Sequence, residues 1–129
     1  MRIGMRSLFT AFALFATTSV LAAEIKPFDQ ATFDALQAAG KPVLIDVYAD
    51  WCPICKHQGL IVSELMASPE FKDYTVLKVN FDTQKDVRRN FGVSEQSTFI
   101  VYRGRRELAR STADRSKDSI AATLRKALS

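Results

Sequence analysis

Trp51-Cys52-Pro53-Ile54-Cys55 stands two residues beyond the apolar run Val43-Leu44-Ile45-Asp46-Val47-Tyr48, and this junction decides the reading of the chain. A continuous apolar run of that length reads as a buried central strand. The residues after Cys55 carry Leu60, Ile61, Leu65 and Met66 at helical spacing towards Ser68-Pro69, where proline stops the pattern. The cysteines therefore lie where a strand hands over to a helix. A helix start offers unpaired N–H groups and the positive end of the dipole, and both favour a thiolate over a thiol. Pro53 suits the first turn, where a missing N–H costs little. Two thiols three positions apart can close a small ring and exchange disulfides with another molecule. A purely structural bridge is the plainer alternative, but so short a loop constrains little of the unfolded chain.

Working outward, Asp29 caps a helix running through about Ala39, with Phe33 and Leu36 on one face and Gly40 at its end. Lys41-Pro42 leads into the first strand. Thr75 to Phe81 alternates as a second strand, with Val76 and the stem of Lys78 on the face opposite Leu77 and Val79. Gln84 to Phe91 is a short polar helix ended by Gly92. Thr98 to Tyr102 is a third strand, Arg103-Gly104 a turn, and Glu107 to Arg110 a returning fourth strand. Ser116 caps a last helix with Ile120, Leu124 and Leu128 on one face. Helices between strands imply parallel crossovers, and the hairpin adds an antiparallel edge. The expected fold is α/β, a central mixed sheet flanked by helices.

The N-terminus reads differently. Arg2 and Arg6 precede an apolar stretch from Leu8 to Leu21, short for a bilayer span, and Val20-Leu21-Ala22-Ala23 fits a small-residue cleavage site. The expectation is a signal peptide over residues 1–22, cleaved after Ala22 or Ala23, and one domain over 23–129. Export implies a periplasmic or other oxidising compartment and no stable membrane insertion after cleavage. Losing Arg2 and Arg6 takes the formal charge from +4 to +2, too little to suggest nucleic acid. The C-terminal third clusters Arg103, Arg105, Arg106, Arg110, Arg115, Arg125 and Lys126. That cluster reads as a solvated face, with a docking patch for an acidic partner as the alternative.

These residues resemble a known family. Val43 through Lys56 is similar to the active-site segment of the thioredoxin superfamily, Val76 to Asp82 to its following strand, and Phe91-Gly92-Val93 with Ser97-Thr98-Phe99 to its substrate-facing loop. Tyr48-Ala49-Asp50-Trp51-Cys52 is especially similar to the C-terminal domain of the bacterial membrane disulfide-reductant transporter DsbD and to small exported thioredoxins. The resemblance implies a thioredoxin fold and a redox disulfide between Cys52 and Cys55. It makes Cys52 the attacking thiolate, accessible at the helix head, and Cys55 the buried resolving thiol. It makes Asp46 the buried carboxylate that exchanges a proton with Cys55, and burial in an apolar strand would raise its pKa to suit. Lys78 would face Asp46 and moderate that shift. A satisfied buried group without catalytic duty is the alternative for Asp46, and for Lys78 too. Trp51, Pro53, Ile54, Ser97 and Thr98 would form the substrate-facing surface, with Trp51 shielding the site from water.

Two departures from the family stand out. Ser97 occupies the position of a cis-proline, and a non-proline cis bond costs about 2.5–4 kcal/mol, so a trans peptide is expected there. Thr112 lies near a position where a groove-lining glycine is common. The resemblance implies that losing the proline can open the dithiol to metal or an iron–sulfur cluster. From the residues alone, zinc would need ligands beyond Cys52, Cys55 and His57, and therefore two chains. His57 reads as an exposed helix residue adding positive charge, and C-x-x-C-x-H lacks the order of haem attachment. No cofactor or metal is assigned. The expected function is an exported thiol–disulfide oxidoreductase acting on protein disulfides or dithiols as a reductant supplied by a membrane electron donor; disulfide donation, isomerisation and metal or iron–sulfur binding stay as alternatives.

Overall fold

The computed structural model describes residues 22–129, together with 4 and 12–16. Most of the expected signal peptide lies outside the described residues. Among the described residues nine regular elements follow in the order β1 (Glu24–Pro27), α1 (Gln30–Ala38), β2 (Pro42–Tyr48), α2 (Pro53–Met66), β3 (Thr75–Asn80), α3 (Lys85–Asn90), β4 (Thr98–Arg103), β5 (Arg106–Thr112) and α4 (Lys117–Arg125), with a 3-10 turn at Pro69–Phe71 before β3. One five-stranded sheet has the order β1-β3-β2-β4-β5. β3 runs parallel to both β1 and β2, while β4 is antiparallel to β2 and to β5. The mixed sheet and the antiparallel hairpin follow the sequence pattern.

β1 does not. Its four residues carry an exposed Glu24–Lys26 ion pair at 3.0 Å and end in proline, so neither length nor alternation marks a strand. Pairing with β3 creates it, and an edge tolerates its proline. Capping, by contrast, was readable locally. Asp29 accepts from the Thr32 amide at 2.9 Å and Ser116 from the Ser119 amide at 3.3 Å, each satisfying a first-turn N–H. Gly40, Gly92 and Gly104 all adopt positive φ, ending α1 and α3 and turning the β4–β5 hairpin.

β2 sorts the molecule into two layers. Val43, Ile45 and Val47 point into a core with Phe28 and Phe33, edged by Phe91 and Tyr102. Phe33 and Tyr102 meet edge-on at 5.3 Å, a favoured aromatic geometry. Leu44 points the other way, into the core formed with Ile61, Val62 and Leu65 of α2 and Ile120 and Leu124 of α4. Strand alternation puts Asp46 and Tyr48 on that second face. The carboxylate thereby sits on the sheet face that α2 covers.

Candidate functional site

Cys52 is the residue that caps α2. Its backbone is extended (φ −90°, ψ 114°), Pro53 opens the first turn, and Cys52 Sγ accepts from the Cys55 amide at 3.2 Å. A sulfur thus replaces the usual capping oxygen, and the cap stabilises it as an anion. Neither cysteine is bridged. Both are buried, Cys52 at 2% and Cys55 at 9% exposure, so the expectation of an accessible Cys52 is corrected: the helix head is covered, most closely by Ser97.

Ser97 lies across the sulfurs. Its hydroxyl is 3.1 Å from Cys52 Sγ and 3.1 Å from Cys55 Sγ, and the residue is 2% exposed. Among the described residues no peptide bond is cis, as expected where serine replaces proline. The backbone instead turns by a left-handed conformation at Ser97, φ 61°, which costs a residue with a Cβ about 1–2 kcal/mol. A second left-handed residue, Ala113 at φ 58°, donates its N–H to the Ser97 carbonyl at 2.9 Å. The unusual backbone therefore falls at Ala113, one position beyond Thr112. Thr112 itself pairs with Thr98, their hydroxyls 3.1 Å apart.

The thiols are driven apart. Burial opposes ionisation of Cys52, but hydrogen bonds from the Cys55 thiol, the Ser97 hydroxyl and the Cys55 and Ile54 amides outweigh it and hold Cys52 below the ordinary thiol range. Burial pushes Cys55 up, and sharing its proton with Cys52 adds to the rise. One ionised and one protonated sulfur is the state that attack followed by resolution requires.

Asp46 is 5% exposed, and burial pushes its carboxyl up to about 6, against a smaller opposing pull from Lys78. Lys78 is its register partner on β3. The ammonium nevertheless lies 4.2 Å over the Tyr48 ring, so it acts on the carboxylate by charge at a distance. Trp51 stands apart from its expected shielding role. It is 60% exposed, with the indole N–H donated to Asp82 at 2.9 Å. Pro53 and Ile54 line an open groove of about 440 Å³ with His57 and Arg115. His57 Nε2 donates to the Arg115 carbonyl at 3.2 Å. On the other side, a cleft of about 510 Å³ bounded by Tyr48, Lys56, Leu60 and Lys78 reaches Cys55.

Gln58 escaped the sequence reading. It is 1% exposed, and its amide donates to the Ser97 carbonyl at 3.3 Å and the Asp114 carbonyl at 2.9 Å. The signal was present: Gln58 is a polar residue on the helix face marked by Cys55, Ile61 and Leu65. The basic C-terminal third, for its part, does not form one free patch. Arg103 donates to the Ala127 carbonyl, Arg110 pairs with Glu107, and Arg125 pairs with Glu70. Among the described residues no three His, Cys, Asp or Glu side chains converge, so a bound metal would need ligands from elsewhere.

A buried dithiol on a helix cap and a buried carboxylate on the central strand make an arrangement that comparison can place. The family model described as thioredoxin matches residues 24–126. Thioredoxin of Mycobacterium tuberculosis is 33% identical over 104 residues, covering 81% of this chain and 89% of the relative. The solved structure of Trxlp from Edwardsiella tarda aligns with a TM-score of 0.76 at 47% identity, over 78% of this chain and 97% of its own. A mutant thioredoxin from Halobacterium salinarum shares the fold at a TM-score of 0.74 and 20% identity, over 87% and 96% of the two chains. The two cysteines and the strand–helix junction that carries them are thus those of a thiol–disulfide oxidoreductase, and this chain belongs to the thioredoxin family.

Proposed function

We propose that this protein is an exported reductase of protein disulfides, receiving its electrons from a donor in the membrane. The single observation that carries the chemistry is the unbridged cysteine pair at the head of α2, where Cys52 caps the helix and its sulfur accepts from the Cys55 amide at 3.2 Å. Cys52 Sγ attacks one sulfur of a substrate R–S–S–R′, forming Cys52–S–S–R and expelling R′S⁻. Cys55 then attacks Cys52 Sγ, the Cys52–Cys55 bond forms, and RS⁻ leaves. Two electrons pass from the dithiol to the substrate. Asp46 takes the Cys55 proton through the layer beneath α2, and Lys78 keeps that carboxylate partly ionised near neutral pH. Trp51, Pro53 and Ile54 present the surface on which the substrate chain lies, whereas Thr98, at 3% exposure, is buried beneath it.

Export rests on sequence alone: the Arg2 and Arg6 start, the apolar stretch and the small residues at Ala22 and Ala23. The family match beginning at residue 24 is consistent with it. A reductant in an oxidising compartment needs a supplier of electrons, hence the membrane donor. Disulfide donation is the second reading, favoured by the hydrogen bonds that stabilise the reduced Cys52 sulfur. The reduction potential separates the two: a value near about −270 mV supports reduction and one near about −120 mV donation. Insulin-type disulfide reduction by wild type, lost in Cys52→Ser, is the expected result. Equal activity in the two proteins overturns the reading.

A further inference from the structure

The Ser97 hydroxyl carries no proton or electron in the exchange just described, yet its position is closely fixed. It lies 3.1 Å from each sulfur on a residue whose left-handed backbone glycine would adopt without strain. The placement is held from behind by two donors to the Ser97 carbonyl, the Ala113 amide and the Gln58 side chain. Gln58 is itself buried and tied to the Asp114 carbonyl. A strained residue gripped in this way points to a function for the group it aims.

We propose that the Ser97 hydroxyl is a catalytic group of the dithiol, donating its hydrogen to the Cys52 sulfur alongside the Cys55 thiol, and so stabilising the reduced pair over the disulfide. The proposal rests on the oxidoreductase reading above. With Cys52 ionised, the Ser97 O–H, 3.1 Å away, and the Cys55 S–H both have Cys52 S⁻ as acceptor, and both links are charge-assisted. In the disulfide neither sulfur carries charge, so the hydroxyl loses its charged acceptor and the bond is no longer charge-assisted. The interaction belongs to one redox state, so it favours that state. Across the full reaction the dithiol and R–S–S–R′ give the Cys52–Cys55 disulfide, RSH and R′SH. One proton comes from Cys55 and one from solvent, since Cys52 starts as the thiolate. The serine keeps its own proton throughout.

The test uses the full chain as wild type, Ser97→Ala and Ser97→Gly. Ala removes the hydroxyl and leaves the strain; Gly removes both, which keeps folding secure. Thiolate formation is followed by ultraviolet absorbance and alkylation across a pH series, and the dithiol–disulfide equilibrium is measured against glutathione. Both variants are expected to alkylate about tenfold more slowly at mildly acidic pH, the effect of one charge-assisted hydrogen bond. Both should also shift about tenfold towards the disulfide, a potential about 30 mV more reducing. Titration and equilibrium like wild type in either variant overturn the proposal. If wild type fails to reduce insulin, the reductase reading falls, while the titration still judges the hydroxyl.

Discussion

The head of α2 and the two loops facing it are built on opposite principles. The helix head is regular: an extended cap, proline in the first turn, and an amide donated to a sulfur. The facing loops are irregular, each turning at a residue with a Cβ in the left-handed region, Ser97 and Ala113, joined by one backbone hydrogen bond. Regular backbone supplies a field that any capping cysteine would feel. Irregular backbone supplies position, putting one hydroxyl against both sulfurs. Chemistry therefore sits on the stable element, and its adjustment sits on the strained one, where a single substitution can alter the potential without dismantling the fold.

The sharpest way to break the comparison is to remove the helix side. Cys52→Ser should abolish disulfide reduction altogether, whereas Cys55→Ser should retain the first attack and accumulate mixed disulfides, visible on non-reducing gels. Free turnover by the Cys55 variant would show that the resolving step lies elsewhere.

Next in size is the buried carboxylate under that helix. Asp46 holds its proton more tightly in the native state, near 6 against 3.8. The unfolded chain thus releases that proton first as pH rises. Stability should fall by about 3 kcal/mol between pH 4 and 6 on this group and level off above. Asp46→Asn should remove that slope in denaturant titrations and leave the protein more stable at neutral pH. It should also slow exchange above pH 6, where the carboxylate would otherwise be ionised to accept a proton. An unchanged slope would mean that the carboxyl titrates like an exposed one.

The clamp between the two sides comes third. Gln58→Leu removes both donors to the loops, leaving the Asp114 carbonyl without its bond, and should cost about 1–3 kcal/mol by chemical denaturation. Thiolate formation at Cys52 should weaken alongside, because Ser97 is then held by the Ala113 amide alone. Smallest of all, Ala113→Gly relieves left-handed strain and should stabilise by about 0.5–1 kcal/mol in thermal melts. A destabilised Ala113→Gly would show that the backbone there is not under strain.

Much of this protein was legible along the chain because its signals are local. Asp29, Ser116, Gly40 and Gly92 mark helix ends by their own side chains or lack of them, the apolar run at Val43–Val47 marks a buried strand, and Cys52-Pro53-Ile54-Cys55 marks a reactive cap. Asp46 stood out as a carboxylate inside that run. What only tertiary structure decided depends on residues distant in sequence. β1 exists because β3 lies beside it, and Trp51 turns outward to Asp82, 31 positions away. Cys52 is covered because a loop 45 positions later crosses it, and Gln58 binds that same loop. Propensity and capping act over a few residues, whereas burial and cross-chain hydrogen bonds are set only when the sheet closes, so the sequence announced the sulfurs and the fold assigned their neighbours.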